Sequence, residues 1–328
     1  MLPISKMVRF FETVDEEWTS PVADTIAKCW DGHTGLVRCI RASANYVFHV
    51  QGEETSAILR FNHTDERKLK FIEAEIDVLR CLLDRGYPVN QPIPSRANRW
   101  VETVETELGS FHAVMFTKLP GDHIELGEMT EAQLLRWGKA LGELHCAAQG
   151  CPLDGRPSLI ECLSGVRSNL GDTTPQLLGR LDKLLRQMET LPPAEGTCGL
   201  IHYDFELDNL CWCGGRPAAL DFDDCCTGKF VADIAYALRD LSDDRLGTPQ
   251  PDDPRFDSFM KGYRTARSLP DSELELLPFF SRIHHMLSYV RLTTSLDGAP
   301  PDGEPEWASS LRRRLAAKRD ELYTLLST

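Results

Sequence analysis

No run in this 328-residue sequence is apolar for long enough to span a bilayer as a helix. The N-terminal MLPISKMVRFFETVDEEW turns acidic by Glu12, so neither a secretory leader nor an anchor is expected. Positive charge is also scarce. Lys and Arg number 36 against 50 Asp and Glu, for a net charge of −14. That balance argues against nucleic acid or an anionic membrane as partner. Zinc-type cysteine spacing is missing too. Cys211/Cys213 and Cys225/Cys226 both fall outside C-x(2–4)-C. The eleven cysteines are scattered and odd in number, which reads as reduced, mostly buried thiols in a cytoplasmic protein. No internal repeat and no low-complexity tract is present.

What is there divides in two. GLVRCIRA, NYVFHVQG and TSAILRFNH are short runs rich in β-formers, with a hairpin turn expected at QGEET. TDERKLKFIEAEIDVLRCLLDRG places apolar residues on one helical face, with Thr64 as the expected cap and Gly86 as its stop. A Pro-rich connector, YPVNQPIPS, and two further strand candidates follow, NRWVETVET and SFHAVMFTKL. After the break at PGD the pattern becomes helical, interrupted by short strands at GLIH, NLCWC and AALDF. The expected architecture is therefore α+β and two-lobed: residues 1–117 a small strand-rich lobe with one helix, residues 118–328 a larger, mainly helical lobe. Charge is uneven between them. Residues 1–118 hold 14 Lys and Arg against 17 Asp and Glu, and the remainder 22 against 33. The acidic second part is compatible with a cationic small-molecule substrate.

The stretch LIHYDFELDNLCW raises the functional question. Burying an isolated charge is costly, yet Asp204, Glu206, Asp208 and Asn209 sit between apolar flanks. Flanks of that kind anchor a loop whose polar middle stays accessible. His202, Asp204 and Asn209 form H-x-D-x-x-x-x-N, and Asp221 follows twelve residues after Asn209, at the end of AALDF. Phosphoryl transfer asks for this set. Mg2+ takes one or two protein oxygens beside phosphate and water, and a separate carboxylate must orient the acceptor hydroxyl.

On IHYDFELDN, LDFDD and the later DIAYAL, the sequence resembles the aminoglycoside phosphotransferase and choline kinase group, relatives of the protein kinases. The resemblance implies a two-lobed protein-kinase-like fold and an ATP- or GTP-dependent kinase using Mg2+. It implies that Asp204 is the catalytic base, that Asn209 and Asp221 hold Mg2+, and that His202 and Asp233 support the loop. Asp223 is a further candidate for the metal, and Glu206 or Asp208 could meet a substrate amine. In the N-terminal lobe the phosphate-holding lysine has no counterpart on the third strand. Arg60 is the candidate there, with Glu75 as its helix partner. The phosphate loop lacks glycine in RASANYVF, and Ser43 and Asn45 stand in its place. The implied acceptor is an amine-bearing hydroxyl compound. A protein Ser/Thr kinase is the neighbouring alternative, opposed by the lack of an A-P-E segment. A catalytically dead kinase-like binding module and a metal-dependent hydrolase are the others.

Overall fold

A computed structural model describes residues 1–31, 36–52, 56–170, 174–191, 196–241, 248–300 and 303–327. The chain forms two compact units. The first comprises Met1–Ile76, Gln91–Lys118 and Tyr289–Tyr323; the second comprises Asp77–Asn90, Leu119–Ser288 and Thr324–Thr328. The first unit thus takes in a C-terminal segment that the sequence boundaries had placed with the second.

The first unit is built on β1 (Val37–Ala42), β2 (Tyr46–Gln51), β3 (Ser56–His63), β4 (Pro92–Ile93), β5 (Glu102–Thr106) and β6 (Gly109–Thr117). They form one antiparallel sheet in the order β1-β2-β3-β6-β4, with β5 also paired to β6. Gln51 pairs Ser56 across the β2–β3 connection, but residues 53–55 of the expected QGEET turn lie outside the described residues. Alternation buries Tyr46, Phe48, Phe61 and Phe111 on one face. Phe10 from α1 (Ile4–Phe11) packs its ring 4.1 Å from Tyr46 and 5.8 Å from Phe61. The sequence reading missed α1 and α2 (Pro21–Ala27), although Ile4, Met7 and Phe10 repeat at helical spacing and all three are buried. Helix α3 (Leu69–Asp84) begins five residues after Thr64, whose N–H is instead taken by the Ser110 carbonyl. Gly86, at φ 72°, lets the N–H of Tyr87 reach back to the Leu82 carbonyl and close α3.

In the second unit, α4 (Glu131–Ala147) opens with a capping box between Thr130 and Gln133. It is followed by α5 (Leu159–Gly165), α6 (Arg167–Leu170) and α7 (Pro175–Glu189). Next come β7 (Cys198–Ile201), β8 (Leu210–Cys213), β9 (Arg216–Ala219) and β10 (Cys226–Lys229), then α8 (Phe230–Ala237), α9 (Pro254–Ala266) and α10 (Asp271–Leu274). Helices α11 (Leu277–Ser295) and α12 (Glu306–Ser327) follow, with α11 from Tyr289 and α12 up to Tyr323 counted in the first unit. The single helix expected from Asp271 onward is split in two. Pro278 is tolerated in the first turn of α11, where its missing N–H costs nothing, but not in mid-helix. β8 and β9 make a hairpin whose two loop residues, Gly214 and Gly215, have φ 58° and 78°. That backbone is the mirror-image turn suited to strand twist, and it calls for glycine. β10, unexpected from CCTGK, pairs antiparallel with β7.

Helices α4 and α9 cross at backbone contact. A Cβ on Gly138 would sit 1.9 Å from the Phe259 carbonyl oxygen, and one on Gly262 1.9 Å from that of Leu135. The Cys81–Cys151 disulfide corrects the expectation of reduced thiols for that pair, tying the end of α3 to the segment after α4. Cys211, Cys225 and Cys226 are buried, and Cys213 is exposed. Among the described residues no helix is long and apolar enough to cross a membrane. Gly262→Ala forces the α4–α9 crossing apart and is expected to cost about 1–3 kcal/mol, read as a lower urea midpoint at unchanged slope.

Candidate active site

The hairpin sets the spacing that the motif displayed. Leu210 pairs Ala219, and just beyond that pair the Leu220 N–H donates to the Asn209 carbonyl at 2.9 Å. Asp221 is therefore one residue from the position opposite Asn209. Strand β9 stops at Ala219, short of the expected strand end at Asp221. Asp221 adopts φ 62°, a left-handed conformation uncommon for any residue but glycine. Tyr203, beside Asp204, has φ 75°. Held backbone strain of this sort gathers at functional sites.

The loop from His202 to Asn209 is fastened from below. Asp233, fully buried in the first turn of α8, accepts the N–H of His202 at 2.7 Å on Oδ2 and that of Tyr203 at 2.8 Å on Oδ1. His145 of α4 donates from Nε2 to the same Oδ2 at 3.0 Å, while its Nδ1 accepts from the Tyr263 hydroxyl at 2.8 Å. Burial pushes the His145 imidazole down from its ordinary value, against the pull of Asp233. His202 donates from Nε2 to the Leu220 carbonyl at 2.9 Å, and its Nδ1 lies 3.3 Å from the Asp204 N–H. Trp137 Nε1 donates to the Phe205 carbonyl at 3.3 Å. Below the Asp221 segment, Arg156 donates to the carbonyls of Asp223, at 2.6 Å, and of Cys225.

At the top of the loop the charges meet. Asn209 Nδ2 donates to the Asp204 carbonyl at 2.9 Å and to its Oδ2 at 3.1 Å. Arg239, two residues past α8, reaches Asp204 Oδ1 at 3.0 Å and also binds Glu206 Oε2 through the same Nη2. Burial, then the nearby Asp204 charge, pushes the Glu206 carboxyl up to about 7, with Arg239 pulling the other way. Asp208 is exposed and Asp223 buried. Among the described residues no three His, Cys, Asp or Glu side chains form a metal cage. The Asn209 amide nitrogen donates to Asp204, which leaves the amide oxygen as a candidate ligand, and Asp221 lies one residue past the backbone position opposite Asn209. Two hard oxygen ligands are a donor set that suits Mg2+ carried in with phosphates.

In the first unit, Arg60 of β3 and Glu75 of α3 form a two-pronged ion pair at 2.8 and 2.5 Å, 7% and 1% exposed. The guanidinium also lies 5.1 Å over the Phe116 ring. Asn45 is buried, its Oδ1 accepting from Asn62 at 2.6 Å, so its side chain turns into the sheet. Ser43 is half-buried and its carbonyl is bonded to the Leu2 N–H.

The sequence reading did not single out His145, Arg156, Trp137 or Arg239. Two of them carried a faint signal. His145 is a polar residue on the apolar face of a helix, and Arg239 follows an otherwise apolar run.

The small antiparallel sheet with its helix, the helical second unit, and the loop–hairpin–Asp arrangement define a protein-kinase-like phosphotransferase fold. Comparison with known proteins agrees. The model of the phosphotransferase enzyme family matches residues 39–269, and the chain belongs to that family. It is similar to the amicoumacin kinase of Bacillus subtilis (strain 168), 28% identical over 290 residues, covering 84% of this chain and 86% of that one. The solved structure of amicoumacin kinase hAmiN with AMP-PNP, Ca2+ and Ami superposes with TM-score 0.75 at 25% identity, covering 96% of each chain. That of a microcompartment-associated aminopropanol kinase gives TM-score 0.66 at 26% identity, over 90% of this chain and 95% of that one. The protein is a small-molecule kinase that phosphorylates a hydroxyl group.

Two outcomes follow from the buried pairs. Removing one partner of Arg60–Glu75 strands the other charge, so Arg60→Met is expected to cost about 3–5 kcal/mol, while Arg60→Met with Glu75→Leu recovers most of it. Chemical denaturation of the three proteins measures this. His145 holds a proton less readily when folded than unfolded. The unfolded chain therefore binds more protons below about pH 6.5, and stability is lost as pH falls through that value. His145→Gln should lower the thermal midpoint at pH 7.5 yet flatten its decline between pH 6.5 and 5.

Proposed function

We propose that the protein transfers the γ-phosphate of ATP to a hydroxyl of an amine-bearing acceptor, with Asp204 as the base. The observation that carries this reading is the hold on Asp204: Asn209 and Arg239 bind its two carboxylate oxygens, at 3.1 and 3.0 Å, on a loop fastened by Asp233. A third of the Asp204 side chain remains exposed, so an acceptor can reach it. There it would orient the acceptor hydroxyl toward the γ-phosphorus. As the new oxygen–phosphorus bond forms, the bond to the β–γ bridging oxygen breaks and ADP leaves. The transition state is largely dissociative, so the hydroxyl proton passes to Asp204 late.

Asn209 and Asp221 are the residues that would hold Mg2+, with Asp223, two positions on, a further candidate. When bound, that ion neutralises charge on the β- and γ-phosphates. The amicoumacin kinase complex with AMP-PNP and Ca2+ supports an ATP-type nucleotide with a divalent cation. Arg60, kept in place by Glu75, is the proposed phosphate cation, with the Ser43–Asn45 turn leading into β2, whose Val47 pairs Arg60. Arginine suits the task because it stays charged and binds two oxygens at once. His202 and Asp233 support the loop without touching substrate. The case for an amine on the acceptor rests on the aminopropanol kinase likeness and on the acidic residues around Asp204.

Two substitutions separate the roles. Asp204→Asn should keep Mg2+–nucleotide stabilisation but lower kcat by about 10²–10⁴-fold with KM little changed. Asp221→Ala should abolish Mg2+-dependent nucleotide stabilisation in a thermal-shift assay. Full turnover in Asp204→Asn on a confirmed acceptor removes Asp204 from the mechanism.

A further inference from the structure

We infer that the cavity between helix α4 and the turn of the β8–β9 hairpin is a second ligand site, one that binds a small dianion of the phosphate monoester class. It is independent of the kinase reading and of any molecule held at Asp204.

The cavity has a volume of about 270 Å³. That is room for a phosphate with a few carbons attached, near the lower end of small-molecule sites. Arg136, Lys139 and Glu143 line it from α4, and Gly214, Gly215 and Arg216 line it from the hairpin. The three α4 residues recur at intervals of three and four, so one stripe of the helix carries them all. Three cations against one carboxylate leave an excess of two positive charges. That sign runs against the surroundings, since residues 119–328 hold 22 Lys and Arg against 33 Asp and Glu. A dianion matches the excess.

The charges are arranged in advance. Arg136 Nη1 donates to the Gly215 carbonyl at 3.2 Å. A Cβ on Gly215 would lie 2.5 Å from that nitrogen, so the guanidinium fills the room that the missing side chain leaves. Glu143 stands between the other two cations. Its Oε1 is 3.6 Å from Lys139 Nζ, and its Oε2 is 3.6 Å from Arg216 Nη2. Those separations keep the cations near by charge but exceed a hydrogen bond. The Lys139 ammonium and the Arg216 guanidinium therefore retain donors for an incoming oxyanion, and an arginine can bind two phosphate oxygens side by side. Both are accessible, with 54% and 61% of their side chains exposed. The Glu143 carboxylate offers an acceptor for a hydroxyl on the carbon chain of an ester, a contact that a bare inorganic ion cannot make.

The site lies at the turn end of the hairpin. Leu210 pairs Ala219 at the other end, beside Asn209, and Cys213 pairs Arg216 next to the turn. Three residues of strand separate the two ends, about 10 Å at 3.3 Å per residue. An anion here is thus distinct from one at Asn209 and Asp221.

The test is calorimetric titration of glycerol 1-phosphate into the full chain at fixed ionic strength, once with Mg2+ and AMP-PNP present and once without. Both titrations should show saturable binding, weaker for inorganic phosphate and absent for glycerol. Lys139→Gln and Arg216→Gln should each weaken it about three- to tenfold, the effect of losing one hydrogen bond, and the double variant should lose it. Glu143→Gln removes the one negative charge of the lining and should tighten inorganic phosphate. Asp204→Asn should bind the ester as wild type does, and thermal midpoints check that every variant folds. The inference is overturned if wild type shows no saturable binding, if inorganic phosphate binds as tightly as the ester, or if the double variant binds unchanged. Loss of binding in Asp204→Asn overturns it too, because it places the ligand at the catalytic loop. The kinase reading is decided separately, by whether any hydroxyl compound is phosphorylated in an Asp204-dependent way.

Discussion

A single carboxylate holds the second unit's chemistry in place. Asp233 has no solvent of its own, and an isolated buried anion is costly. It is satisfied by two loop N–H groups and one imidazole N–H. It also sits in the first turn of α8, where the helix end favours negative charge. Those donors belong to His202 and Tyr203 in the loop and to His145 in α4. The loop conformation, the strained Tyr203 backbone and the position of α4 are therefore conditions for one another. Loss of any donor would leave a buried charge poorly compensated rather than merely remove a bond.

The two units handle buried charge differently. In the first, Arg60 and Glu75 neutralise each other across a short, almost fully buried gap, an arrangement sensitive to the loss of either partner. In the second, charge is shared: Arg239 between two acids, Asp233 among three donors, and Arg156 among main-chain carbonyls. Sharing lets acids accumulate near Asp204 and Asp221 while each group keeps partners.

The motif was legible because its parts are close in sequence and held by local devices. His202, Asp204 and Asn209 lie in one loop, and the Gly214–Gly215 turn fixes how far on Asp221 falls. The α+β layout was legible for a similar reason, since runs such as NYVFHV and TEAQLLRWGKALGELH carry strand and helix periods openly. Residues brought in from elsewhere were not. His145 lies 88 positions from Asp233, and Arg156 reaches the Asp221 segment from a loop with no periodicity to betray it. Strand β10 was hidden because CCTGK has a glycine and no alternation. The Cys81–Cys151 pairing was hidden because spacing alone assigns no partner among eleven cysteines.

The glycine crossing of α4 and α9 has a mechanical meaning. Where side chains separate two helices, a rotamer change can absorb small errors in spacing. Here main chain rests on main chain at Gly138 and Gly262, and nothing between them can adjust. Trp137 is the immediate neighbour of Gly138, His145 lies two turns further along α4, and Tyr263 follows Gly262 on α9. The crossing thus works as a gauge block: it sets, to the thickness of a backbone, how deep the groups beneath the His202–Asn209 loop can sit.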